Sequence, residues 1–462
     1  MENSQPILSV SGIRGIVGAS LTPELVARLV EIWSATFRGA VVLGRDSRPS
    51  GGELQEAARD VLLAGGHAVH EVGIVPTPTL GRAVRQLQAR AGLQITASHN
   101  PPQWNGLKLF NAQGRALPPQ EAAPLLQQFR AVLEADAAVS TSRSARSVAD
   151  KRPSVESEIV DWRERALQEH VEAVLACVNN ETIQRRRFRV LVDGNGGAGG
   201  PLATHLLHAL GCQVVPVHCE PDGVFRHEPE PTPAALREIA PLVVQCGCDV
   251  GFALDSDADR LVLMDETGRC LSEEMTLALA AEARLRQRPG PIVANLSTSL
   301  MVEVLCQRRG FACYRTPVGE AHVVDGILAS GAVLGGEGNG GVIDPRVGLV
   351  RDPFVGMALV LELLAELGKP LSTLSASLPA FVMRKEKHAL EQITWHEVRK
   401  RLLAAMTGAD VDDRDGLYFR WPDRWLHVRP SNTEPVVRIL AEAPSAEQTD
   451  SLVQLARAAL IA

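Results

Sequence analysis

Two stretches of this chain put reactive groups close together. In Thr96-Ala97-Ser98-His99-Asn100-Pro101 a hydroxyl stands beside an imidazole, and Lys108 follows ten residues on. Gly92–Ile95 leads in as a short apolar strand and Asn105–Phe110 reads as a second. A hydroxyl at the tip of a strand-loop is how a rigid scaffold presents a nucleophile. A polar turn in which Ser98 and Asn100 bond their own backbone accounts for the same residues. The second stretch, Asp255-Ser256-Asp257-Ala258-Asp259-Arg260, follows an apolar strand. Three carboxylates at alternate positions can converge only around a cation, and an all-oxygen set suits Mg²⁺. Three other readings compete. A calcium loop would use Glu266 but has Arg260 where it needs glycine. An aspartyl-phosphate hydrolase would use Asp255 as nucleophile, and a solvated acidic turn would need no ligand.

Four further segments could bind. In Gly335-Gly336-Glu337-Gly338-Asn339-Gly340-Gly341 the functional side chains are Glu337 and Asn339. A carboxylate accepting from two neighbouring hydroxyls is a typical polyol contact, though a flexible glycine loop fits equally. Arg429-Pro430-Ser431-Asn432-Thr433-Glu434-Pro435, with Arg438 beyond it, concentrates anion-binding groups between prolines. Gly194 to Gly199 fits G-x-G-x-x-G, with Glu220 where a ribose-binding acid would stand; a tight strand-to-helix turn has the same pattern. Ser11-Gly12-Ile13-Arg14-Gly15 projects an arginine from a sharp turn, inside a loop-like stretch over residues 1–20.

The elements that must position these groups follow an alternating rhythm. Continuous apolar strands (Ala40–Gly44, Ala68–Val72, Arg189–Val192, Gln213–Val217, Asp249–Leu254, Pro291–Ala294, Ala332–Leu334) alternate with amphipathic helices, the mark of βαβ units with sheets covered on both faces. Thr22 and Pro23 open one helix as N-cap and first turn. Residues 136–157 lack periodicity and read as a linker, with a helix from about Glu156 to Val178 after it. From Phe381 the pattern becomes α+β, with a hairpin turning at Pro422-Asp423. The expectation is an α/β chain of three similar units with mixed sheets plus a smaller C-terminal α+β unit, divided as 1–152, 153–266, 267–376 and 377–462.

Composition excludes several classes. With 45% hydrophobic and 22% charged residues the 462-residue chain has material for several cores. Its net charge of −7 and 4% aromatic content argue against a nucleic-acid or anionic-membrane binder. The eight cysteines form no C-x-x-C pair and no signal peptide precedes the fold, so reduced thiols in a cytoplasmic protein are expected. The apolar helix near Val355–Leu367 carries Glu362 and Glu366 and is too short to span a bilayer.

Taken in order, Thr-Ala-Ser-His-Asn-Pro, Asp-x-Asp-x-Asp-Arg, Gly-Glu-x-x-Gly and Arg-x-Ser-Asn-Thr-Glu-Pro make the chain resemble the α-D-phosphohexomutase superfamily over nearly its full length. Gly-Ile-Arg-Gly and Asn-Gly-x-Lys match as well. The resemblance implies four domains around a central cleft and an isomerase that moves phosphate between O6 and O1 of a hexose or hexosamine. Ser98 would carry the phosphoryl group, and one Mg²⁺ would be held by Ser98, Asp255, Asp257 and Asp259. Arg14 and Lys108 would flank the reacting oxygens, with His99 beside the phosphoserine and Arg260 beside the metal. Lys108 would serve as a base only if its surroundings lowered its pKa. Glu337 and Asn339 would bind sugar hydroxyls; Arg429, Ser431, Asn432, Thr433 and Arg438 would hold the second phosphate. A hexose bisphosphate would be intermediate and activator. The partners implied are a sugar phosphate, no nucleic acid and no membrane, in a monomer or homodimer. The glycine turn at 194–199 becomes structural, and the aspartyl-phosphatase reading leaves the serine loop unexplained. Many bacterial members have Gly-Glu-x-Ser-Gly-His in the sugar loop, whereas Asn339 and Gly341 stand here, closer to the archaeal-type branch. Phosphoglucosamine mutase activity is expected first, with phosphomannomutase/phosphoglucomutase close behind; a non-catalytic homologue that keeps the fold is the alternative from another class.

Overall fold

The computed structural model describes residues 5–139, 159–389, 393–431 and 436–461. Its strands form four sheets. In the first, the parallel strands Val41–Arg45 and Ala91–Ile95 lie side by side with all but Arg45 buried, as continuous apolar runs require. The chain then turns back at residues 96–103 into the antiparallel strand Trp104–Asn111. The second sheet repeats this arrangement. Val250–Leu254 is parallel to Arg189–Asp193 and returns through residues 255–260 into Leu261–Asp265. In the third, Leu334–Glu337 is parallel to Ile292–Asn295 and returns through 338–340 into Gly341–Ile343. The fourth sheet is wholly antiparallel, and Trp425–Pro430 and Val436–Ala443 flank residues 431–435. The first three motif loops are thus the turns of β-hairpins. Three of the four leave the C-terminal end of a buried parallel strand, where open α/β sheets present their ligand sites.

The sequence expectations hold for most of these elements, and three need correction. Residues 1–20 are not all loop: Gly12–Ile16 is a strand whose Ile13 is buried and whose Arg14 lies opposite Gly106. Gly106 allows that approach, since a Cβ there would stand 2.2 Å from the Ile13 carbonyl oxygen. The helix expected from Glu156 begins at Arg163, because β-branched Ile159 and Val160 instead pair with the edge of the first sheet at Val69 and His70. Helix Pro119–Val139 covers the start of the expected linker, and residues 140–158 lie outside the described part.

Helix Pro353–Leu367 is buried on all sides from Pro353 to Leu364. It packs at the centre of an apolar core shared by the second and third units, with Val171, Leu206, Leu254, Leu277 and Leu334. That accounts for its apolar composition without a membrane; no helix among the described residues is long and apolar enough to cross one. Asp352 caps it, accepting from the backbone N–H of Phe354 at 2.9 Å.

Candidate active site

Ser98 is held in the left-handed region, φ +52°, a conformation that costs a residue with a Cβ about 1–2 kcal/mol. The surrounding bonds over-determine it. Thr96 Oγ1 accepts from the Ser98 N–H at 2.8 Å and donates to Asp46 Oδ2 at 2.6 Å. The buried guanidinium of Arg48 donates to the carbonyls of Ser98 and Asn100, both at 2.6 Å, of Pro101 at 2.7 Å and of Trp104 at 2.9 Å. Asp46 accepts from Arg48 Nε at 3.1 Å, and the Phe225 ring of the second unit lies 5.0 Å from the same guanidinium. So fixed, Ser98 Oγ donates to Asp255 Oδ2 at 3.2 Å. Ser256 Oγ reaches back to the Ser98 carbonyl at 2.5 Å.

The acidic turn is fully buried. Its three carboxylates offer oxygens within 4.8 Å of one another. Asp255 Oδ1 accepts the backbone N–H groups of Asp259 and Arg260 at 3.0 and 3.1 Å. Asp257 Oδ2 accepts from Thr77 Oγ1 and Lys108 Nζ, each at 2.6 Å, and Asp259 Oδ2 from Lys108 Nζ at 2.7 Å. Asp257 Oδ1 and Asp259 Oδ1 are buried with no hydrogen-bond partner among the described residues. Hard oxygen donors with unsatisfied lone pairs, converging in a buried turn, fit a divalent cation such as Mg²⁺. Burial and the charges of Asp259 and Asp257 push the Asp255 pKa well up. Burial presses on Asp259 too, but Arg351, Lys108 and Arg260 outweigh it and hold its pKa well down.

Cations ring this cluster. Arg14 Nη1 donates to Asn100 Oδ1 at 2.8 Å, placing the first strand's arginine against the serine loop. Arg260 Nη2 donates to His99 Nδ1 at 2.9 Å, and its Nη1 to Glu230 Oε1 at 2.7 Å. Burial, Arg260 and Arg14 drive the His99 pKa far down, so its ring is neutral and Nδ1 acts as an acceptor. Burial would lower Lys108, but Asp257 and Asp259 outweigh it and raise its pKa. The lysine is therefore an ammonium here, suited to steadying negative charge.

The sugar-loop residues lie one step away. Glu337 Oε1 accepts from Asn295 Nδ2 at 2.8 Å and from the Gly319 N–H at 3.1 Å, while Oε2 accepts from Arg351 Nη1 at 2.8 Å. A carboxylate has about four lone-pair sites, so one remains, on Oε2. Asn339 Oδ1 accepts the Gly341 N–H at 3.2 Å and so shapes its own turn. Arg429 stands opposite Arg438 on the fourth sheet's hairpin, 3.6 Å from Asp415, and the Ser431 N–H donates to the Val436 carbonyl at 2.8 Å. Asn432 and Thr433 lie outside the described residues. A bonded path ties this unit to the sugar loop: His427 Nδ1 to Ser297 Oγ at 2.9 Å, Ser297 N–H to Asn295 Oδ1 at 2.9 Å, and Asn295 to Glu337. The 194–199 glycines are used by the protein's own backbone. Ala198 N–H donates to the Ser256 carbonyl at 2.8 Å, and a Cβ on Gly197 would stand 2.7 Å from that oxygen.

Sequence reasoning missed Arg48, Thr77, Glu320 and Arg351. Arg48 had a signal, since it closes a charged loop directly after an apolar strand. Arg351 had little, a lone cation before the Asp352-Pro353 helix start.

Known proteins match this arrangement throughout. Residues 6–136, 168–268 and 272–381 match the phosphoglucomutase/phosphomannomutase alpha/beta/alpha domains I, II and III, and 382–459 match the family's C-terminal domain. The phosphoglucomutase/phosphomannomutase of Thermococcus kodakarensis is 36% identical, over 96% of each chain. A probable phosphoglucosamine mutase of Methanopyrus kandleri is 35% identical, over 96% of this chain and 95% of its own. The crystal structure of a phosphoglucomutase/phosphomannomutase family protein from Burkholderia thailandensis superposes with a TM-score of 0.82 at 28% identity, over 98% of both chains. Four domain matches in order, on a fold whose hairpin turns converge as described, place this chain in the phosphoglucomutase/phosphomannomutase family of the α-D-phosphohexomutases, which are isomerases.

Proposed function

We propose that this phosphohexomutase interconverts hexosamine or hexose 6-phosphate and 1-phosphate through a phosphorylated Ser98 and a bisphosphorylated sugar, with glucosamine phosphate as the first-choice substrate. The observation that carries the reading is the 3.2 Å contact between Ser98 Oγ and Asp255 Oδ2, made by two hairpin turns 157 residues apart. Asp255, Asp257 and Asp259, with the Ser98 phosphoryl, would hold Mg²⁺, which when bound neutralises charge on the transferring group. The chain's own residues supply the rest. Backbone bonds fix Ser98 so that its oxygen faces the incoming sugar. Phosphoryl transfer breaks the P–O bond to Ser98 and forms one to a sugar hydroxyl, and the proton of that hydroxyl ends on Ser98 Oγ, which leaves as a free hydroxyl. Arg14 and Lys108 flank the transfer and stabilise the charge that develops; Lys108 would relay the proton, giving its own to the leaving Ser98 oxygen and taking that of the sugar hydroxyl, and the return step runs the same exchange in reverse. Glu337, with Asn339 beside it, orients the sugar. Arg429, Ser431, Asn432, Thr433 and Arg438 would grip the other phosphate in both orientations of the bisphosphate. Each of the four units, read as 1–152, 153–266, 267–376 and 377–462, lends one loop.

Phosphomannomutase/phosphoglucomutase activity is the second reading, favoured by the 36%-identical Thermococcus relative. Intact mass tests the phosphoserine: the purified protein, or protein treated with a hexose 1,6-bisphosphate, should carry one phosphoryl group that Ser98→Ala cannot accept. An unmodified and unmodifiable Ser98 sinks the mechanism. Phosphorus NMR with glucosamine, mannose and glucose 6-phosphates in parallel decides the sugar.

A further inference from the structure

Arg351 lies outside all four motif loops, just before the N-cap of the long buried helix. All three of its guanidinium nitrogens are engaged, each by a different carboxylate. Nε donates to Glu320 Oε2 at 3.1 Å, Nη1 to Glu337 Oε2 at 2.8 Å and Nη2 to Asp259 Oδ2 at 2.6 Å. Glu320 also accepts the Arg351 backbone N–H at 3.1 Å, so the residue is gripped at both ends of its side chain. One planar group thus joins the carboxylate of the sugar loop to a carboxylate of the acidic turn, across two different sheets.

The stem reaches this position through space that only a glycine leaves. A Cβ on Gly341 would stand 2.2 Å from Arg351 Cδ and 2.8 Å from Cγ. Gly341 lies in a strand, where alanine is conformationally acceptable, so the obstacle is the arginine and not the backbone. A side chain at 341 and this pose of Arg351 exclude each other.

We infer that Arg351 is a positioning residue that sets the sugar subsite at a fixed distance from the phosphoryl-transfer subsite, and that Gly341 exists to admit it. The inference rests on the mutase reading of the same site. Glu337 keeps one acceptor position, and Arg351 fixes the oxygen that carries it. Without the fork, Glu337 Oε2 loses its partner and the sugar hydroxyl it holds loses its reference to Ser98. A displacement of this kind degrades the reacting geometry more than it weakens binding. Asp259 gains an acceptor position when Nη2 is removed. Divalent cation affinity should therefore hold or rise, whereas a merely structural loss would lower it.

The test is a double-mutant cycle on the full chain with Arg351→Met, Gly341→Ala and the pair, with Arg351→Lys as the conservative variant. The readouts are kcat and KM for the sugar 6-phosphate that the wild type turns over, Mn²⁺ affinity by electron paramagnetic resonance on unphosphorylated protein, and Ser98 phosphorylation by intact mass. Arg351→Met should lower kcat about 100-fold, with a far smaller change in KM. Lysine should restore little, because an ammonium cannot span three carboxylates as a planar fork does. Gly341→Ala should reproduce the Arg351→Met profile, and the double variant should be no worse than the poorer single one. Mn²⁺ affinity should be equal or tighter in every variant. Additive losses, a kcat near wild type in Arg351→Met, or weakened Mn²⁺ binding in Arg351→Met and Arg351→Lys alike would overturn the inference. Failure of the mutase reading would look different: wild-type Ser98 would take no phosphoryl group. In that case the positioning role falls with it, and the Mn²⁺ arm alone reports on the Gly341–Arg351 coupling.

Discussion

Replacing Arg48 by methionine removes one buried guanidinium that serves Asp46 and the carbonyls of Ser98, Asn100, Pro101 and Trp104 at once. Breaking a buried ion pair by deleting one partner costs about 3–5 kcal/mol. Carbonyls left without donors add to this, though water entering the opened space relieves much of their share. Burial already raises the Asp46 pKa, with Arg48 opposing it. In the variant Asp46 therefore takes up a proton rather than remain a bare charge, which keeps the loss near about 3 kcal/mol at mildly acidic pH. For a unit of this size that lowers the midpoint of its thermal transition by about 10 °C. The sign of the pH dependence follows. A folded-state carboxyl pKa above the unfolded value means that the folded form holds the proton longer. Stability then falls as pH rises from the ordinary aspartate value through the raised one. The variant's deficit should grow from acidic to alkaline pH. Calorimetry at several pH values measures it, and hydrogen exchange of the 96–106 amides should show Ser98 leaving its left-handed conformation. A variant that melts with the wild type and still protects those amides would refute the clamp.

Other perturbations address separate links. Gly106→Ala would place a Cβ 2.2 Å from the Ile13 carbonyl and 2.8 Å from that of Thr96. It should cost about 1–3 kcal/mol by thermal melting, and a larger loss of turnover as Arg14 shifts from Asn100. Glu274 is raised to about 7 by burial, with Lys385 opposing. Its folded pKa exceeds the ordinary 4.5, so it lowers stability as pH rises across that window, and Glu274→Gln should flatten the dependence of the melting midpoint there. Asp257→Asn should weaken Mn²⁺ binding at least about tenfold in a titration followed by electron paramagnetic resonance; unchanged affinity would remove the acidic turn as the cation site.

The sequence by itself determined a great deal here, because the signals involved are local. Continuous apolar strands between amphipathic helices can only pack as covered sheets, and the residue types of each loop limit its chemistry. Ser98, the three aspartates, Glu337 and Arg429 were all readable as loop residues at strand ends, and their order along the chain carried the family. The strand Gly12–Ile16 was not readable: its glycines and lone arginine look like a turn until Gly106 of another strand offers a place to pair. Tertiary structure also decided how the loops meet. That Ser98 meets the acidic turn was implied only through the family resemblance, and no pattern in the sequence says that Lys108 bridges Asp257 and Asp259. Arg351 is the clearest case. Its significance lies in three carboxylates brought from residues 259, 320 and 337, and in the side chain that Gly341 lacks. Local sequence encodes strand, helix and turn, whereas an ion pair between distant segments is fixed only when the cores beneath them pack and leave its members no other partner.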